Sequence, residues 1–146
     1  MSQPTQVDPR GLRVVAAITA LVLAAVLLIP AEPVRLVLLA IQVVVFAVAA
    51  LIGLQKSPYA VFYAAVVRPR IGPPAELEDA RPPRFAQFVG LAFTTVALVA
   101  LVLGATTVAL IATGFALVAA LLNATVGLCL GCEMYLVLRR LAPAGA

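Results

Sequence analysis

Cys129 and Cys132 lie three residues apart in the stretch Cys129-Leu130-Gly131-Cys132-Glu133-Met134-Tyr135, and the chain has no other cysteine. On a helix, residues at this spacing have α-carbons about 5 Å apart, within disulfide reach, so a reversible bond needs no large rearrangement. Exchange chemistry also needs one sulfur as thiolate. An apolar setting disfavours that unless a cation or a helix N-terminus lies close by. The bland alternative is that both cysteines simply pack as small apolar residues.

No histidine occurs in the chain. Haem would lack its usual ligand, and two thiolates fall short of the four ligands zinc takes, although a symmetric dimer would supply four. No Gly-rich phosphate loop and no serine triad is present. The expectation is therefore no metal and no cofactor.

The residues around the pair set its chemistry. Glu133 is read as a proton acceptor for the neighbouring thiol, its carboxyl group tuned by burial, or as half of an ion pair with Arg84 or Arg13. Tyr135 serves as a hydrogen-bond donor into the same space or as an interfacial anchor. Gln87, just beyond Arg84, falls at the depth of the cysteines. Asn123, Thr125 and Gln42 are polar groups inside apolar runs, where bonds between helices are the common explanation.

The elements that carry these residues follow from composition. Of 146 residues, 64% are hydrophobic and 11% charged, which no soluble domain of this size could bury. The fold class is all-α: one integral membrane four-helix bundle, residues 1–146 forming a single transmembrane domain. The first apolar run is too long for a signal peptide and lacks a cleavage site, so it is a retained span.

After a polar leader, 2–10, span one covers about 12–29 and turns at Pro30-Ala31-Glu32-Pro33 into span two, 34–54. Between spans two and three, Tyr59, Phe62, Tyr63, Val66 and Val67 share one helical face. They predict a short amphipathic helix in the interface ending at Arg68 and Arg70, or a plain interfacial loop. The stretch 73–79 reads as a solvated acidic turn. From 85 to 138 the chain is nearly continuously apolar, too long at roughly 80 Å for one crossing. Turns at 104–107 or at Thr113-Gly114 would split it; the second gives spans of 85–110 and 114–138. Gly127 and Gly131 offer a break in span four or a small-residue packing face.

An even number of spans puts Arg10, Arg13, Lys56, Arg68, Arg70, Arg81, Arg84, Arg139 and Arg140 on one side, with Arg35 alone on the other. By the positive-inside rule both termini face the cytoplasm of a multi-pass plasma (inner) membrane protein. The net charge of +4 shows no nucleic-acid footprint, so no nucleic-acid partner is expected. Lipid is the obligatory partner, and small residues on several faces allow a homo-oligomer. The cysteines then lie about 10–15 Å along span four from Arg139, on the reducing side, where a cycling pair is more consistent than a permanent disulfide. A helix starting at the cysteines would stabilise a thiolate by its dipole. In a continuous helix, Arg10, Arg13 or Arg84 must approach instead.

Three stretches together carry a resemblance: Val7-Asp8-Pro9-Arg10, Arg81-Pro82-Pro83-Arg84-Phe85-Ala86-Gln87, and Gly127 to Tyr135 with its Cys-x-Gly-Cys-Glu-x-Tyr pattern. The set resembles a family of small actinobacterial membrane proteins catalogued as a domain of unknown function (number forty-three ninety-five). The resemblance implies a working set of Cys129, Cys132, Glu133 and Tyr135 facing Arg84 and Gln87, with Asp8 and Arg10 as a lid or charge partner. Family genes often neighbour those for thioredoxin-like proteins and sulfurtransferases, which implies thiol or sulfane-sulfur chemistry.

The expected function is a membrane thiol-disulfide oxidoreductase. Cys132, the shallower residue, makes first contact with a thioredoxin-like or sulfurtransferase partner, Glu133 relays the proton, and Arg84 or Arg10 stabilises the thiolate. The alternatives are a non-enzymatic scaffold that recruits such a partner through the 56–84 loop, and a carrier for a small sulfur species.

Overall fold

The computed structural model describes residues 6–142. Residues 2–5 of the polar leader lie outside that range. Among the described residues, four helices are long and apolar enough to cross a membrane: Pro9–Leu28 (α1), Glu32–Ile52 (α2, its last turn Val48–Ile52 π-helical), Arg81–Val102 (α5) and Thr106–Val126 (α6). Between α2 and α5 the chain forms α3 (Pro58–Phe62), a π-helical turn (Tyr63–Val67) and α4 (Arg68–Ile71). A last helix, α7, covers Leu130–Leu141. The only strands among the described residues are two-residue pieces, β1 (Gln6–Val7) and β2 (Glu78–Asp79), paired antiparallel. The all-α four-helix architecture expected from composition is the one observed.

Small residues make up much of the interior, alongside Leu23, Leu39 and Phe46, while many large ones face outward. Ala16, Ala20, Ala97, Ala100, Ala109 and Ala112 are buried, whereas Leu21, Val37, Val99, Ile111 and Val118 are exposed. Water would penalise that arrangement; lipid does not, because helices in a bilayer associate by close packing of small residues. The core cluster gathers Val26, Leu39, Ala97, Leu101 and Ala109. It occupies the half of the bundle near the α1–α2 and α5–α6 turns. The opposite half, where both described chain ends lie, is less filled and houses the functional candidates.

Arginine side chains close three helix ends. Arg35 on α2 donates to Val26 O of α1 at 2.9 Å. Arg84 on α5 donates to Ala50 O and Leu51 O of α2 at 2.7 and 3.1 Å. Arg13 on α1 donates to Ala124 O and Thr125 O of α6 at 3.2 and 2.8 Å. The last carbonyls of a helix have no partner within it, so each guanidinium satisfies acceptors that lipid cannot.

Two boundaries differ from the expected ones. The chain turns at Gly104 (φ +86°) and not at Thr113-Gly114, so spans three and four are Arg81–Val102 and Thr106–Val126, in place of 85–110 and 114–138. Thr113 is no breaker because its hydroxyl donates to Ala109 O one turn back at 2.8 Å, which satisfies it inside the helix. Span four then stops at Gly127, whose φ of +74° terminates α6, and α7 begins afresh. Gly127 is the break that the glycines of this region left open.

The interfacial helix exists, but its tyrosines point at the protein. Tyr59 Oη donates to Gln42 Oε1 at 2.9 Å, while Phe62 and Val66 remain exposed. That bond ties α3 to α2, as expected for Gln42. Thr125, in contrast, bonds Leu121 O within its own helix at 2.6 Å. The acidic turn also ends in order, with Val7 opposite Glu78 and Gln6 opposite Asp79. Asp79 pairs with Arg81 at 2.6 Å.

Candidate functional site

Cys129 and Cys132 are joined as a disulfide with α-carbons 5.1 Å apart. The break at Gly127 puts this pair at the start of a helix. Cys129 becomes the N-cap of α7, with extended backbone (φ −92°, ψ 105°), and its Sγ accepts the backbone N–H of Cys132 at 3.2 Å. A sulfur at that position receives both an amide hydrogen bond and the positive end of the helix dipole, which together favour thiolate over thiol after reduction. This is the helix-start arrangement that an interrupted span four would create.

Two contacts hold α7 in place. Gly131 is buried against α5, where an added Cβ would come within 2.6 Å of Ala86 Cα. The Tyr135 ring packs on Phe85 with centroids 5.7 Å apart, and Arg139 sits 5.9 Å above it. Tyr135 therefore anchors α7 to α5 and does not line the cavity beside the sulfurs.

That cavity, about 520 Å³, lies between α1, α5 and α6 with the start of α7 as its roof. Cys129, Cys132, Gln87 and Asn123 line it, as does Arg13. Neither Gln87 nor Asn123 makes a side-chain hydrogen bond among the described residues, so both amides present free donors and acceptors to the space.

The other expected residues stand apart. Glu133 is exposed on the first turn of α7, without an ion pair among the described residues and outside the cavity lining. Starting α7 afresh after Gly127 removes the buried setting on which the proton-relay reading rested. Arg84 is committed to the end of α2. Arg10 is committed to Asp8, 2.9 Å away, and to Gly72 O at 2.8 Å. Arg13, considered only as one of several cations, is the arginine beside the cavity.

Asp8 and Arg10 form a separate lock. The Asp8 carboxylate caps α1 through the Arg10 N–H at 2.9 Å and accepts the Tyr63 hydroxyl at 2.6 Å. Its side chain is 8% exposed. The Arg10 guanidinium holds its carboxyl down at about 2, with Tyr63 adding to the effect against the opposing cost of burial. Burial, then the Asp8 carboxylate, pushes the Tyr63 hydroxyl up. Tyr63 was missed as a functional position because a tyrosine on an apolar helical face reads as a lipid anchor.

The sign for stability follows. Asp8 has a lower value folded (about 2) than unfolded (3.8), so its contribution is present above about pH 4 and is lost as pH falls through 2. With Arg10 one third exposed and screened by solvent, the contribution is of order 1 kcal/mol. We expect the thermal midpoints of wild type and Asp8→Asn to differ at pH 5 and to draw together as pH falls from 4 through 2. A gap that stays constant over that range would show that the carboxylate's charge contributes nothing.

Fold and site together define a class: a four-span membrane-type bundle with a disulfide seated at the head of a short terminal helix. The chain belongs to the family described as Domain of unknown function (DUF4395), which matches it over residues 7–140. The family resemblance carried by the three sequence stretches is thereby borne out. No curated protein and no solved structure matches the chain.

Proposed function

We propose that the protein is a membrane-embedded thiol-disulfide oxidoreductase whose working pair is Cys129 and Cys132, facing the cytoplasm. The observation that carries this reading is the capping bond from Cys132 N–H to Cys129 Sγ in a pair already joined. Cys129 is the attacking sulfur, in place of the Cys132 expected from depth, because it is Cys129 that the helix start stabilises as thiolate.

The Cys129 thiolate attacks a disulfide of a thioredoxin-like or sulfurtransferase partner. One S–S bond forms, the partner's breaks, and a partner thiolate leaves. Cys132, deprotonated to water, then attacks Cys129 Sγ and expels the second partner sulfur. The partner disulfide is reduced to two thiols and the pair is oxidised; the same steps run backwards. Glu133, exposed on the first turn of α7, takes up through solvent the proton that Cys132 releases. The cytoplasmic orientation rests on the arginine bias alone.

The test is an acid quench of membrane vesicles of known sidedness, followed by mass-tagged alkylation across a series of glutathione redox buffers. The expected result is a single two-electron transition of the pair, with labelling from the cytoplasmic face. A pair that stays in one redox state across the series would leave packing cysteines and move the function to a scaffold.

A further inference from the structure

The cavity continues past the sulfurs. Phe93 and Phe115, whose rings lie 6.1 Å apart, line both the cavity and a second space of about 400 Å³ along the outside of α5 and α6. This groove is bounded by Ala92, Val96, Val108 and Ile111, and its lining is almost wholly apolar. Val96, Ile111 and Phe115 are more than half exposed, so the groove lies on the face that lipid covers. A chamber holding a disulfide and two unengaged amides therefore shares its Phe93–Phe115 wall with an open hydrocarbon slot at the depth of the spans, and a turn of either ring would join the two.

We propose that the chamber and slot together bind a lipid-soluble quinone, which exchanges electrons with the Cys129–Cys132 pair. The inference rests on the oxidoreductase reading in its reverse direction, in which partner thiols reduce the pair, and names the electron acceptor for that direction. The chamber is within the usual size range of ligand sites, about 300–1,000 Å³, and the slot accepts a prenyl tail. A quinone's two carbonyl oxygens are neutral acceptors that match the amide donors of Gln87 and Asn123. A phospholipid fits less well: its phosphate needs cations, and Arg13, the arginine on the chamber wall, is bound to the α6 carbonyls.

The electrons balance. The Cys129 thiolate and the Cys132 thiol lose two electrons as the S–S bond forms and the Cys132 S–H bond breaks. The quinone gains the two electrons, and its oxygens take one proton from Cys132 and one from water to give the hydroquinone.

The experiment uses the full chain in lipid nanodiscs, reduced and freed of reductant, with decylubiquinone or menadione as probe. Quinone loss is read by absorbance and disulfide formation by alkylation. The expected result is one hydroquinone per disulfide. Ala119→Phe, which projects into the chamber, and Ile111→Trp, on the lipid-facing slot, should each lower the ratio of decylubiquinone-driven to diamide-driven oxidation about tenfold or more by displacing the ring or tail. Menadione, which has no tail, should be affected by the first variant and much less by the second.

A pair that equilibrates with glutathione but reduces neither quinone overturns this inference and leaves the oxidoreductase reading standing. So does a decylubiquinone-to-diamide ratio that neither variant moves, or native mass spectrometry showing phospholipid that decylubiquinone does not displace. A pair that responds to neither glutathione nor quinone overturns the oxidoreductase reading itself.

Discussion

Replacing Cys132 with Ser is expected to leave Cys129 covalently tethered to its partner protein, while Cys129→Ser traps nothing. The argument rests on one hydrogen bond. In the wild type, Cys129 Sγ accepts the N–H of residue 132 at the head of α7. That backbone donor survives the serine substitution, so the Cys132→Ser protein keeps a stabilised thiolate and loses only the group that resolves the mixed disulfide. In Cys129→Ser the remaining thiol is inside the first turn and does not occupy the cap. We expect exchange with a disulfide substrate to fall by about a thousandfold or more in Cys129→Ser, since the nucleophile itself is gone. Non-reducing gels of membranes from cells carrying each variant read the difference directly. Equal trapping by both variants would remove the assignment of Cys129, and trapping by Cys132 alone would reverse it.

The second large effect is expected at a residue with no reactive group. In Gly131→Val the new side chain would enter the space now held by the backbone and Cβ of Ala86. Because Cα of Ala86 belongs to the first turns of α5, it cannot rotate away as a long side chain would, so α7 must lift. Overpacking of this kind costs about 1–3 kcal/mol. The functional loss should be larger than the stability loss suggests, because the sulfurs ride on the displaced segment and a shift of about 1 Å can slow a positioned reaction about a hundredfold. Gly131→Ala should show the same effects at smaller size. Thermal midpoints and exchange rates measured on the same preparations test this. A Gly131→Val protein with wild-type exchange would mean that contact with α5 does not position the pair.

How much of this was legible in the residues depends on which physical signal each feature leaves. Spans one and two carry long apolar runs bounded by prolines, and both appear within a few residues of the expected limits. The continuous apolar stretch after Phe85 gave no contrast, so its division rested on glycines alone. Gly104 and Gly127 are the ones that adopt positive φ, but a glycine looks the same in sequence whether it turns the chain or sits inside a helix as Gly114 does. Cys129, Cys132 and Gln87 line one cavity, at the common depth counted from Arg84 and Arg139; Asn123 lines it too, without the bond between helices that was expected of it. The exposure of Glu133 was hidden because it depends on where α6 stops. The pairing of Tyr63 with Asp8 spans 55 positions and leaves no local trace.

The three arginines that close helix ends have a consequence for the order in which the molecule is completed. Each cap is supplied by a different helix: α2 finishes α1, α5 finishes α2, and α1 finishes α6. The first two can be made as the chain lengthens. The third joins the earliest span to the latest, so the end of α6 stays open until the ring of helices closes on itself. Cys129 follows that end by only three residues. The cap bond itself is local to residues 129–132, but the place of that turn beside the cavity depends on the closed ring, so a nascent bundle lacks the setting on which the proposed redox role rests.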